Sequence, residues 1–269
     1  MRITVFTGNQ PRHISLIENL SQIADEVYAI VECLTVFPGE VSDFFKNSDV
    51  MQKYFKRVIS AEKEIFGSPR FLPENIRALV IKSGDLNRLQ YKMFEPALEA
   101  DAYIVFGSSY IKSELLDFLV SNRAYNIHMG VSPYYRGSSC NFWAAYDGNF
   151  DYVGATIHLL SAGLDSGHML FHAFPEATTD PFLLGMKAVK SAHNSLIEYL
   201  KSGKLQKMES VLQDRKLEMR YSRNSDFIDT VVEEYLNNLP TPKKIMEKIS
   251  HRDLSRFLNP YIGLEEAIP

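Results

Sequence analysis

Short apolar runs alternate with stretches of helical spacing along the first half of the chain. Ile3-Thr4-Val5-Phe6 is closed by Thr7-Gly8-Asn9, and from Ile14 to Ala24 the residues Ile14, Leu16, Ile17, Leu20 and Ile23 recur at helical intervals. Val27 to Val31 predicts a second strand, and a Tyr- and Phe-rich stretch from Val41 to Ile65 predicts a helix. A third strand over Ala78 to Ile81 is followed by a helix start at Ser83-Gly84-Asp85. Ala102 to Phe106, closed by Gly107, precedes a helix over about 113–120. Strands that are apolar throughout rather than alternating are buried on both faces, and their separation by helices predicts a parallel sheet. The expected class is α/β, doubly wound and Rossmann-like.

The second half changes character. Ala124-Tyr125-Asn126-Ile127-His128 is strand-like with polar residues at its end, and it runs into a loop from Met129 to Gly137. A helix around Phe142 to Ala145 follows, then strand-like runs Val153 to Leu160 and His168 to Phe174, which predict a hairpin at the sheet edge. Pro181 to Leu200 predicts a long helix that Gly203 ends. Residues 1–200 are expected to form the main domain and 201–269 a small C-terminal extension.

Composition narrows the partners. With 269 residues, 45% of them hydrophobic, the chain can bury a full core, and its formal net charge of −4 does not favour a polyanionic partner such as nucleic acid or an anionic membrane. The extension holds 12 Lys/Arg against 11 Asp/Glu, so it is not a basic arm. Cys33 and Cys140 fall in no paired spacing, which points away from disulfides and thiolate metal sites and toward the cytoplasm. No apolar run has the length of a signal or membrane segment.

In an open parallel sheet, ligands bind outside the carboxyl ends of the strands. Three loops lie there: Gly8 to His13, Gly107 to Ile111, and the strand end at Asn126 and His128. Asn126 and His128 are two apart on a strand, so an amide and an imidazole share one face. Taken alone, such a histidine is either a hydrogen-bonded structural residue or a catalytic one, and Asp165 between Gly163 and Gly167 is ordinary turn chemistry.

Together these residues resemble the signature of the folate-dependent formyltransferases: Asn126-Ile127-His128, Pro133 and Gly137 in the following loop, and Leu164-Asp165-Ser166-Gly167, with Asp165 37 residues after His128. Gly107, nineteen residues before Asn126, stands where that family has the glycine opening a folate-contacting loop. The resemblance covers about residues 1–175 and is sharp over 102–170. It departs from the family at Met129-Gly130-Val131-Ser132, where Pro-Ser-Leu-Leu is common.

The resemblance implies N10-formyltetrahydrofolate as formyl donor, no metal, and Asn126, His128 and Asp165 as catalytic residues. It implies a folate slot lined by Phe106, Gly107, Ser108, Ser109, Tyr110 and Ile111 and by Ala162, Gly163 and Leu164. The turn with Gly8, Asn9, Arg12 and His13 opens the first helix, where backbone N–H groups attract anions, and is expected to meet acceptor phosphate unless it is an ordinary turn. Arg136 is a candidate for a carboxylate or phosphate, or a solvent-facing side chain.

Family members differ in the acceptor amine. The methionyl-tRNA enzymes append a longer, basic β-barrel, and the purine enzymes are much shorter. What remains is similar to the sugar N-formyltransferases, implying a nucleotide-linked amino-deoxysugar as acceptor; a homodimer through the C-terminal extension is a separate expectation. Tyr134, Tyr135, Tyr221 and Phe227 are candidates to stack on its base, or simply packed. Another small amine, of the hydroxyornithine or glycinamide ribonucleotide type, and methionyl-tRNA stay open, as does a non-catalytic folate- or nucleotide-binding protein.

Overall fold

The computed structural model describes residues 1–33, 44–68 and 70–263. In chain order the elements are β1 (Arg2–Gly8), α1 (Pro11–Ser21), β2 (Glu26–Cys33), α2 (Asp49–Phe66), β3 (Ile76–Lys82), α3 (Glu95–Leu98), β4 (Ala102–Phe106), α4 (Ser113–Ser121) and β5 (Tyr125–His128). Then follow β6 (Tyr135–Gly137), α5 (Cys140–Tyr146), β7 (Ala155–Leu159), β8 (Met169–Phe174), α6 (Pro181–Lys201), α7 (Lys204–Lys207), β9 (Arg220–Ser222), α8 (Asp229–Asn237), α9 (Pro242–Ser250) and β10 (Tyr261–Ile262).

Local chemistry sets several boundaries. α1 starts at Pro11, ahead of the expected Ile14, because proline at the first helical position gives up an N–H that has no partner there anyway. α2 starts after Ser48, whose hydroxyl accepts the Met51 N–H at 3.2 Å. The helix expected from Val41 is thus shorter: Phe44–Lys46 is a 3₁₀ turn, and 41–43 lie outside the described residues. Asp180 caps α6 by accepting from Phe182 and Leu183, and Gly203 follows its end at φ +67°. The helix expected at Ser83-Gly84-Asp85 is replaced by 3₁₀ turns at Leu86–Arg88 and Tyr91–Phe94 before the single turn of α3. Leu86 and Phe94 are both buried, and Gln90, extended between them, breaks any continuous helix.

The main sheet has the order β10-β8-β7-β5-β4-β1-β2-β3. Only β7 is antiparallel to its neighbours. The order reverses between β1 and β4, so the crevice beyond their carboxyl ends is where an α/β fold places a ligand. One face carries Val5, Ile104 and Ile157 against Leu16, Leu20 and Leu196 of α1 and α6; the other carries Phe6, Ile30 and Val105 against Leu115 and Leu119 of α4. Each such side chain contributes about 1.5–3 kcal/mol on burial. β1, β4 and β5 are covered on both faces, but at β3, the sheet's last strand, Leu79 and Val80 remain exposed.

Beyond Lys201 the chain returns to the body of the fold. β9 pairs with β6, β10 extends the main sheet beside β8, and Val211 bridges Met169. Val232, Tyr235, Ile245 and Ile249 share one apolar cluster with Trp143, Phe174 and Phe182. α8 packs on α2, and the Tyr134 hydroxyl donates to the Arg256 carbonyl.

Candidate active site

β5 delivers Asn126 and His128 to the carboxyl end of the sheet, on one face as strand alternation requires. The loop between β7 and β8 brings Asp165 to them. Its Oδ2 lies 3.2 Å from His128 Nδ1, and its Oδ1 accepts from Asn126 Nδ2 at 3.3 Å. Asp165 adopts φ +44°, a left-handed conformation that aspartate tolerates better than most residues. All three side chains are largely withdrawn from solvent, Asp165 the least.

A fourth residue completes the cluster. His158 of β7 pairs in register with Asn126, and its Nε2 lies 2.9 Å from Asn126 Nδ2. Its Nδ1 is 2.8 Å from the Leu159 carbonyl, which can only accept, so Nδ1 carries the proton and Nε2 accepts from the amide. That fixes the orientation of the Asn126 amide.

Burial alone would strip the charge from His128, but the Asp165 carboxylate, with Cys140 on the ring's other side, overcomes this and holds the imidazole well above its usual range. Burial likewise opposes the Asp165 charge, yet His128 holds the carboxyl far below the ordinary range. The two form an ion pair at neutral pH.

A cavity of about 300 Å³ opens beside the cluster. Phe106 to Ile111 line one wall, Gly163 to Asp165 another, with apolar patches from Val105, Leu116, Ile127 and Leu160. Ala162 is not on that wall, but its carbonyl accepts the Tyr110 hydroxyl and ties the two loops together. Gly107 is required where the loop leaves β4: φ is +66°, and a Cβ there would come within 2.7 Å of His13 Nε2.

Buried Glu32, at the end of β2, anchors the same loop. Its carboxylate accepts from the Ser109 N–H and hydroxyl and from the Gly84 N–H. Glu32→Ala leaves three donors to find water or go unpaired, and is expected to cost about 1–3 kcal/mol, measured by urea unfolding.

A family model described as "Formyl transferase" matches residues 56–196, just over half of the sequence. The chain belongs to the formyl transferase family. The methionyl-tRNA formyltransferase of Trichormus variabilis is 31% identical over 105 residues, which are 39% of this chain but only 28% of that protein. The chain therefore spans little more than a quarter of the curated relative it matches. Among solved structures, the N-formyltransferase from Helicobacter canadensis, in complex with folinic acid and dTDP-3-aminofucose, superposes with a TM-score of 0.52 at 13% identity, covering 98% of this chain and 85% of that one. Glycinamide ribonucleotide transformylase 1 from Symbiobacterium toebii gives 0.51 at 15% identity, over 80% of this chain and 94% of that one.

In this formyl transferase family member, the turn after β1 is arranged otherwise than its sequence suggested. The N-terminus of α1 already faces a carboxylate: Glu62 of α2, 2% exposed, accepts from both the Arg12 N–H and its guanidinium, at 3.1 and 2.8 Å. Gly8 and Asn9 are buried, and His13 packs edge-on to Phe106, where burial takes it well below the usual range. Of the four, Arg12 lines a second cavity. Arg136 is buried and paired with Glu218 at 2.9 Å rather than facing solvent.

That second cavity, about 510 Å³, meets the first at Met129. Tyr54, Phe142, Phe227 and Tyr235 supply aromatic walls, and Arg12, Asn141 and Asn224 supply polar groups. Phe227 is the single stacking candidate found there; Tyr134 and Tyr135 are buried in the core, and Tyr221 is exposed. His172 is structural, bridging the Ser132 carbonyl and the Leu258 N–H. No helix among the described residues is long and apolar enough to cross a membrane, and no group of three or more His, Cys, Asp or Glu among them is placed to hold a metal ion.

Proposed function

We propose that the protein transfers the formyl group of N10-formyltetrahydrofolate to the amino group of a nucleotide-linked amino-deoxysugar. The observation that carries this reading is the pair of cavities meeting at Met129 beside Asn126, His128 and Asp165. The smaller one offers the glycine- and serine-rich loop Gly107 to Ser109 and apolar side chains to a pterin. The larger is aromatic, as a nucleotide base requires, and Arg12, paired with Glu62 through one guanidinium nitrogen, lines it with further donors for a diphosphate.

The chemistry assigned to the cluster follows from the reaction. A neutral amine attacks the formyl carbon, and the carbonyl oxygen becomes an oxyanion in a tetrahedral adduct. The Asn126 amide, by the hydrogen whose partner is the more distant Asp165, and the protonated His128, by its Nε2–H, are donors for that oxygen, worth on the order of 10²–10³ in rate each. The amine must lose a proton, and the departing folate nitrogen must gain one. Asp165 is the carboxylate at hand for that relay, and it also sets the charge of His128.

Two alternatives are weaker. A phosphate on the α1 N-terminus, as a glycinamide ribonucleotide acceptor would need, would have to displace the Glu62 carboxylate. For an RNA acceptor, the extension is near neutral, and the likeness to the tRNA enzymes extends over 105 residues only.

Phe227→Ala removes an aromatic wall that meets Tyr54 and Phe142 edge-on at 5.4 and 4.8 Å. The acceptor KM should rise about tenfold, as a loss of 1–2 kcal/mol of stacking and burial implies, with the folate KM unchanged. Steady-state kinetics with each substrate varied in turn separates the two. The reading as a whole is tested by mixing the protein with N10-formyltetrahydrofolate and a panel of amino-sugar nucleotides and following tetrahydrofolate release. Acceleration by one of them is expected; if none accelerates release and Asp165→Asn changes nothing, the proposal is dropped.

A further inference from the structure

Cys140 opens α5 with its side chain against the catalytic candidate His128. Its Sγ lies 3.5 Å from His128 Nε2 and 3.4 Å from the Gly137 carbonyl oxygen, and it is 1% exposed. Gly130 makes that approach feasible: a Cβ there would come within 2.5 Å of the Cys140 Cβ and 2.7 Å of His128 Nε2. The groups facing the ring are Asp165 from the β7–β8 loop at Nδ1, His158 of β7 with ring centres 6.4 Å apart, and Cys140 of α5 at Nε2.

We propose that Cys140 is a positioning residue for His128, its sulfur accepting the imidazolium Nε2–H while its own S–H donates to the Gly137 carbonyl. An imidazolium carries two N–H groups, and a buried one needs an acceptor for each. Asp165 takes Nδ1. The sulfur is the partner found for Nε2 among the described residues. A thiol is a weak acceptor, so it holds the N–H and orients the ring without adding a second negative charge, and it yields that N–H to the developing oxyanion, a far stronger acceptor. An alkyl group would leave the N–H bare and favour the neutral ring. The kinetic consequence rests on the formyl-transfer reading, whereas the hydrogen bond does not.

The test is a ¹⁵N titration of histidine-labelled protein together with pH–rate profiles. In the wild type, both His128 nitrogens should be protonated at neutral pH. Cys140→Ala should weaken His128 proton affinity about tenfold or more, one pH unit, and bring the alkaline limb of kcat down with it while the KM values hold. Cys140→Ser, which keeps an acceptor, should return both toward the wild type. An unprotonated Nε2 in the wild type at neutral pH, or an alanine variant with an unmoved His128 midpoint, overturns the proposal. Should the alanine variant not fold, the wild-type titration decides alone. If the wild type formylates no amine, the functional reading fails and the titration still judges Cys140.

Discussion

Asp165→Asn is expected to lower kcat/KM for formyl transfer about 10²–10⁴-fold, the usual range for losing a proton-transfer group. Asparagine keeps the shape and can still meet Asn126 and His128, so the loss isolates charge from packing. Two effects combine: the relay loses its base, and His128 loses the counter-charge that keeps it protonated against burial. The variant's pH–rate profile should therefore shift its His128 limb to lower pH, where the wild type stays flat.

Stability responds with a definite sign. His128 has its folded pKa raised, so its contribution is complete below the ordinary histidine value of 6.5 and is lost as pH rises through the raised one. Asp165 has its folded pKa depressed, so its contribution is complete above the ordinary 3.8 and is lost as pH falls toward the depressed value. The pair contributes most between those limits. Thermal unfolding from pH 4 to 9 should show that plateau in the wild type and a flatter curve in Asp165→Asn; identical curves would mean the ion pair does not form in solution.

Much of the scaffold was legible because the buried strands carry their own signal. Apolar runs ended by Gly8 and Gly107 mark β1 and β4, and alternation within Tyr125–His128 places Asn126 and His128 on one face before any tertiary contact is known. The approach of Asp165 to them is different: nothing local distinguishes it from a turn aspartate, and only the resemblance in spacing joined it to the strand. His158 reads in the sequence as a solvated or structural histidine, because its role depends on a cross-strand register, Asn126 opposite His158, that neither segment encodes alone. Cys140 and Glu62 were missed for the same reason, since each meets its partner only after a helix docks. At the far end, β9 and β10 are three and two residues long, too short for any periodicity, and their pairing with β6 and β8 is tertiary throughout.

Glu62 shows why an expectation based on a helix terminus needs the rest of the fold. The backbone N–H groups at the start of α1 do attract a carboxylate, as the helix dipole predicts. The carboxylate comes from α2 rather than from a ligand. Arg12, held by the same glutamate, is turned to the second cavity instead.

Asn126→Ala should reduce kcat about 10²–10³-fold, the cost of one oxyanion donor. The geometry adds a condition that separates this from a general loss of structure. His158 donates its Nδ1–H to Leu159 and presents Nε2 to the amide, so although it also borders the first cavity, its hydrogen bonds assign it to aiming Asn126. His158→Phe leaves that amide held by Asp165 alone and should slow the reaction less than Asn126→Ala does. In the Asn126→Ala background, the same histidine change should add almost nothing, because its object is gone. A double-mutant cycle on kcat then yields a coupling close to the whole effect of the histidine. Additive losses would instead mean that His158 meets the substrate or the proton path itself.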